Sequence, residues 1–240
     1  MSLRLIKALF KPAKPRITEK EKQTSLIRSA EKKEKRIISG TPIEDGFHTE
    51  KARGLPILIY KYYYAHKYFL NRLIDVNMVS RLRKGANMLS IGTGPGHLER
   101  TLLTFSVPAK NIDIADIKLH SHIENSPFRK FEFDMSKQWP DFQRKYDYIL
   151  FPESIQYYSQ NTTNYGEYID GMLKVIKQAH NNLNKNGEIR IVVNTNNDQL
   201  DIKWWINFWK ILSVQSKQVL SKSTWKIDPK TKTIIIKRLD

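Results

Sequence analysis

From Gly85 onward, apolar residues along this chain alternate between two rhythms: short continuous runs, and longer segments in which they recur every third or fourth position. The runs within "NMLSI", "NIDIAD", "FRKFEF", "YDYILF" and "EIRIVV" predict strands near residues 87–91, 111–116, 129–133, 146–151 and 188–194, because brief apolar stretches bounded by turn residues fit buried strands. The segments between them predict helices near 97–106, 118–124, 167–184 and 199–213. Strand and helix in alternation mark βαβ units, so the fold class is α/β, doubly wound around a mostly parallel sheet. The end of the chain breaks the rhythm. "QVLSKSTWKI", the turn "DPKTK" and "TIIIKRL" predict two more strands, tightly joined as an antiparallel hairpin that brings the sheet to seven.

Upstream, Leu58, Tyr62, Ala65, Phe69, Leu73 and Val76 step by threes and fours and predict one helix from Pro56 to about Leu82, lying against the sheet. Residues 1–53 are different in kind, rich in Lys, Arg, Glu and Ser, and are set apart as a basic helical or disordered extension before a domain at 54–240. Within the extension, Leu3, Ile6, Leu9 and Phe10 face away from Arg4, Lys7 and Lys11 on a short amphipathic stretch that Pro12 ends. Such a stretch fits an anionic membrane surface or RNA, a solvated tail that is marginal as a helix alone, or an organellar presequence, which the glutamates from Glu19 onward disfavour. "DIKWWINFWKIL" carries two apolar faces: Ile202, Trp205, Trp209 and Leu212 on one, Trp204, Phe208 and Ile211 on the other. It is therefore either buried on both sides or docks something.

Composition narrows the classes. With 41 Lys and Arg against 24 Asp and Glu, the formal charge is +17, which favours anionic partners or simply solubility. The absence of cysteine excludes disulfides, thiolate metal sites and a cysteine nucleophile. No apolar run approaches the ~18 residues of a membrane span, and the reading is a soluble, cytoplasmic chain with peripheral membrane contact as an option. His120 and His122 are the nearest approach to metal-ligand spacing, too slight to predict a metal.

Chemistry concentrates at "LSIGTGPGHLE", residues 89–99, where three of only 10 glycines follow the first strand directly. Gly92, Gly94 and Gly96 allow a sharp turn and let a ligand meet bare main chain at a helix start. His97 stands where a dinucleotide fingerprint requires its third glycine, which disfavours a pyrophosphate ligand. The pattern Gly-x-Gly-x-Gly after the first strand instead resembles motif I of the class I S-adenosylmethionine-dependent methyltransferases, a Rossmann-like family. "NIDIADIK", "FRKFEFDMS", "KYDYILFPESIQYYS" and "LNKNGEIRIVV" follow in an order similar to that family's later motifs, and Glu153 to Tyr158 within the third of these resembles NodS-like small-molecule methyltransferases.

The resemblance implies S-adenosylmethionine as cofactor. It implies Gly92, Thr93, Gly94 and Gly96 around the methionine half, Asp116 at the ribose with Asp113 as fallback, the adjacent Ile117 among the cofactor-binding residues, and Asp134 with Met135 at the adenine. Each aspartate also reads as an ordinary turn residue at a strand end. The family's acidic residue two places before the first glycine is here Ser90. Methyl transfer is an in-line displacement that asks for alignment and a base near the nucleophile. Glu153, at the end of the fourth strand, is the candidate base; it equally fits as a partner of the donor's ammonium or as a helix cap. Tyr157 is the candidate aromatic lining of the acceptor channel, with Tyr158 beside it. The leading function is methyl transfer to O or N of a small-molecule or glycan-like acceptor, with Tyr-rich segments near 60–68 and 157–168 on the acceptor side. RNA methylation using residues 1–53 is the second reading, and a non-catalytic scaffold of the same fold, hinted at by Ser90, is the third.

Overall fold

A computed structural model describes residues 51–52, 55–56 and 72–240, apart from 95, 153, 156–163, 193–201 and 221. Strands β1 (Met88–Ile91), β2 (Ile112–Asp116), β3 (Arg129–Glu132), β4 (Tyr146–Pro152), β5 (Leu183–Val192), β6 (Ser223–Asp228) and β7 (Thr233–Arg238) join in one sheet. Their order is β3-β2-β1-β4-β5-β7-β6. The first five run parallel, and β7 enters antiparallel to β5 and to β6. The doubly wound, mostly parallel seven-stranded sheet with its antiparallel C-terminal hairpin is thus the observed architecture.

Five α-helices stand among the described residues: α1 (Val76–Arg83), α2 (His97–Thr104), α3 (Ser121–Glu124), α4 (Tyr165–Asn181) and α5 (Ile202–Ser216). Successive strand residues point to opposite faces, and the burial follows. Met88, Ile112, Ile114, Tyr148 and Leu150 pack with Met78, Val79 and Leu82 of α1 and Leu98 and Leu102 of α2. Leu89, Ile91, Ala115, Ile149 and Phe151 pack on the other face with Met172, Val175 and Ile176 of α4 and Trp209 and Leu212 of α5. A parallel sheet covered on both sides needs strands that are apolar at every position, which is why they read as runs.

Two predicted elements are redrawn. The helix expected from Pro56 to about Leu82 is not continuous, for Leu55–Pro56 pairs with Lys51–Ala52 as a two-residue antiparallel ladder. Residues 57–71 lie outside the described residues, as do 1–50, including the amphipathic N-terminal stretch. Leu73 is in a turn, and α1 starts afresh after Asp75, whose carboxylate accepts from Met78 N–H at 2.8 Å. A capping side chain outweighs apolar spacing that happens to run across it. The fifth strand begins at Leu183, five residues before the expected start, because "LNKNG" is absorbed as an irregularity in the pairing with Tyr146 and Tyr148. Gly187 makes this possible: a Cβ there would lie 3.0 Å from the Tyr146 carbonyl oxygen.

On α5, Phe208, Trp209 and Leu212 are buried, while Ile211 and Val214 are exposed. Phe208 stacks on Tyr168 of α4 at 5.2 Å between ring centroids. The second face is therefore half covered from within the chain. Trp204 and Trp205 lie outside the described side chains.

Candidate active site

Glycine turn, aspartates and the fourth-strand loop all follow the carboxyl ends of parallel strands, so the sheet delivers them to one edge. β1 lies between β2 and β4, because the chain runs outward from β1 through β2 to β3 and then returns to place β4 on the other side of β1. That reversal opens the crevice in which ligands of open α/β sheets bind.

The turn after β1 is built from left-handed residues: Gly92, Gly94 and Gly96 have φ of 74°, 51° and 76°. Gly92 N–H donates to the Ala115 carbonyl at 2.7 Å, tying the turn to β2. A Cβ on Gly92 would lie 2.0 Å from the Ser154 Cβ, so the turn passes against the loop after β4 with no room for a side chain. Ser154 fixes this approach by donating its hydroxyl to the Ile91 carbonyl. At Gly94 the opposite holds: no atom of the described residues lies within 4 Å of where a Cβ would stand. Gly94 thus presents a main-chain face that none of the described residues covers.

Asp116 closes the arrangement from β2. Its Oδ2 accepts from Gly94 N–H at 3.0 Å and its Oδ1 from Ile117 N–H at 2.8 Å. A carboxylate has about four acceptor sites, so two further donors can be taken. Ile117, beside it, is 71% exposed, an apolar side chain left bare at the strand tip. Asp113, the fallback, is corrected. It is fully buried near the start of β2, held by Arg129, Arg144 and the Tyr146 hydroxyl, and so sits toward the opposite end of the strands.

Asp134 follows β3 and forms a local turn in which Oδ1 accepts from the Ser136 hydroxyl at 2.7 Å and the Ser136 N–H at 2.9 Å. These bonds hold its carboxyl below the usual carboxylate range. The Met135 carbonyl accepts from the Trp139 indole at 2.9 Å, and its side chain packs on the core. Thr93 is buried within the glycine turn. Glu153, Tyr157 and Tyr158 lie outside the described residues, although their neighbours Pro152 and Ser154 fix where that loop leaves the sheet. Among the described residues no three acidic or histidine side chains gather as a metal site, and no helix is long and apolar enough to cross a membrane.

Two residues of this region escaped the motif reading. Ser154 is flanked by more conspicuous neighbours, and only its packing shows what it does. Glu99, in the first turn of α2, is entirely buried. Burial pushes its carboxyl up to about 7; the nearby Ser90 hydroxyl tempers the rise and the Asp116 charge adds to it. The signal in the sequence was the missing acid at position 90, which invites a search for a carboxylate elsewhere.

A family model described as a methyltransferase domain matches residues 62–221, more than half of the chain. No curated protein sequence matches significantly. Among solved structures, the chain is similar to the S-adenosylmethionine-bound amino pentose methyltransferase CalS10 of Micromonospora echinaspora, at 16% identity and a TM-score of 0.40, covering 61% of this chain and 59% of that one. An S-adenosylmethionine-dependent methyltransferase of Clostridium acetobutylicum aligns at 18% identity and 0.42, over 72% and 63%. DesVI of Streptomyces venezuelae aligns at 9% and 0.49, over 77% and 96%. The chain spans less than two thirds of the length of the first two.

Proposed function

We propose that this chain, which belongs to the methyltransferase-domain family of the class I S-adenosylmethionine-dependent methyltransferases, moves a methyl group from S-adenosylmethionine to an oxygen or nitrogen of a small-molecule or glycan-like acceptor. The observation that carries the reading is the bond from Gly94 N–H to Asp116 Oδ2 beside the open face of Gly94. It sets a carboxylate and bare main chain side by side at the reversal point of the sheet.

The donor supplies an electrophilic methyl carbon, and the protein's share is alignment, exclusion of water and removal of a proton from the acceptor. Gly92, Thr93, Gly94 and Gly96 cradle the amino-acid half. Asp116 accepts from the ribose hydroxyls with the acceptor sites its two main-chain bonds leave over. Ile117 lays its exposed side chain along the purine, and burial of that surface favours binding. Asp134 receives the adenine amino group; with the Met135 carbonyl bonded to Trp139, recognition by Met135 falls to its N–H. Glu153, between the last residue of β4 and Ser154, serves as the base, and Tyr157 lines the acceptor side. A small acceptor is favoured over RNA because "FPES" stands where an Asn-Pro-Pro-Tyr platform for a base would follow the fourth strand.

Calorimetric titration with S-adenosylhomocysteine tests the donor site: Asp116→Ala weakens binding at least about tenfold, the scale of lost charge-assisted hydrogen bonds. Unchanged affinity overturns the assignment of the ribose site. Transfer of labelled methyl to fractionated metabolites and RNA tests the acceptor, and label entering only RNA overturns that half of the reading.

A further inference from the structure

Around the glycine turn, Ser90 Oγ, Thr93 Oγ1 and both carboxyl oxygens of Glu99 are buried, and beyond the approach of the Ser90 hydroxyl to Glu99 no described group partners them. Buried polar atoms are nearly always fully partnered, so four such atoms on three residues within ten positions, with only one another to turn to, call for a ligand. The geometry places Glu99 at their centre. A Cβ on Gly96 would lie 3.8 Å from Glu99 Oε2, which sets the carboxyl against the turn. Ser90 comes from the same face of β1 as Met88 and Leu150 of β4, the face that α2 covers.

Charge around Glu99 favours a cation. Asp116 acts on it from β2 and Arg100 from its own helix, while Ser90 approaches from β1 as a neutral hydroxyl. α3 presents the apolar Ile123 to the same turn. Two carboxylates beside one cationic side chain leave room for a further positive group, and Gly94 opens the way in.

We propose that Glu99 is the carboxylate that receives the ammonium group of the donor's amino-acid tail, in place of the acid this chain lacks at position 90. The proposal rests on reading the glycine turn as the donor site. It makes binding proton-linked. The buried carboxyl holds its proton up to about pH 7 in the free protein; pairing with an ammonium requires the ionised form, so the proton passes to solvent as the ion pair forms.

The test uses S-adenosylhomocysteine, which carries the ammonium, and 5′-methylthioadenosine, which does not. With the full chain, affinity for the first rises close to tenfold per pH unit below about 7, and calorimetry in two buffers of different ionisation heat shows nearly one proton released at pH 6. Glu99→Gln removes the pH dependence and weakens S-adenosylhomocysteine more than tenfold at pH 7.5, while 5′-methylthioadenosine binds both proteins alike at every pH. If S-adenosylhomocysteine binds the wild type without proton release, or binds Glu99→Gln unchanged, the role of Glu99 is overturned and the donor site stands. The wild-type proton count needs no variant, so a Glu99→Gln protein that failed to fold would leave the test intact. Failure of both ligands to bind the wild type overturns the donor reading and this inference with it.

Discussion

A single methyl group separates two roles of glycine in the turn after β1. Gly92→Ala drives a Cβ to 2.0 Å from that of Ser154 at a φ of 74°, and the clash with the β4 loop adds to left-handed strain. Loss of about 3 kcal/mol in a urea melt is expected. Gly94→Ala meets no atom of the described residues, so its expected cost is the strain alone, about 1 kcal/mol. Its methyl group projects instead into the space assigned to the donor, and S-adenosylhomocysteine affinity falls sharply in a protein that still folds. Comparable melts for the two variants would show that the turn is less closely packed than described. Glu99 gives stability a pH signature of its own. The unfolded chain loses this proton near 4.5 and the native chain near 7, so the native state binds more protons in between and stability falls as pH rises through that window, by on the order of 3 kcal/mol. Glu99→Gln flattens this slope and is the more stable protein at pH 8, as urea midpoints at pH 5 and pH 8 would show.

At the level of elements, α1 depends on one side chain. Asp75 caps the helix through Met78 N–H and also accepts from the buried Arg190 at 2.8 Å. Asp75→Ala therefore removes a cap worth about 1 kcal/mol and one of two carboxylate partners of Arg190, Glu188 being the other. A drop of about 2 kcal/mol in denaturant stability is expected, with Asp75→Asn recovering the capping share. The same residue shows where the sequence stopped being legible. Apolar spacing through Leu73 and Val76 is compatible with an unbroken helix, and only the Asp75 backbone, extended at φ −125° and ψ 170°, breaks it. The strands were legible because burial on both faces leaves continuous apolar runs. The start of β5 was not, since "LNKNG" has the composition of a turn and is held in the ladder by pairing with β4. Glu99 was hidden for a related reason: an acid in the first turn of a helix is ordinary on a solvated face, and what buries this one is the sheet beneath it.

For the whole molecule, the site and the principal ion cluster occupy opposite ends of the strands. Asp113 accepts from Arg129, Arg144 and Tyr146 and clamps the beginnings of β2, β3 and β4 together. Asp113→Asn leaves two guanidinium groups crowded without their shared counter-ion and costs about 3 kcal/mol, yet donor affinity holds because the glycine turn is anchored to the far ends. A variant with intact stability but lost binding would contradict this division. Motif order in the sequence made the fold and the line of candidate residues readable; it could not say that Asp113 and Asp116, three positions apart, serve opposite ends of the sheet. One further consequence follows from the strand order. β7 is the last of these seven strands to leave the ribosome, yet it lies inside the sheet between β5 and β6. Translation of nearly the whole described chain must therefore precede closure of the sheet, and until then the nascent protein carries β5 as a raw edge that chaperones, or a neighbouring copy, can reach first.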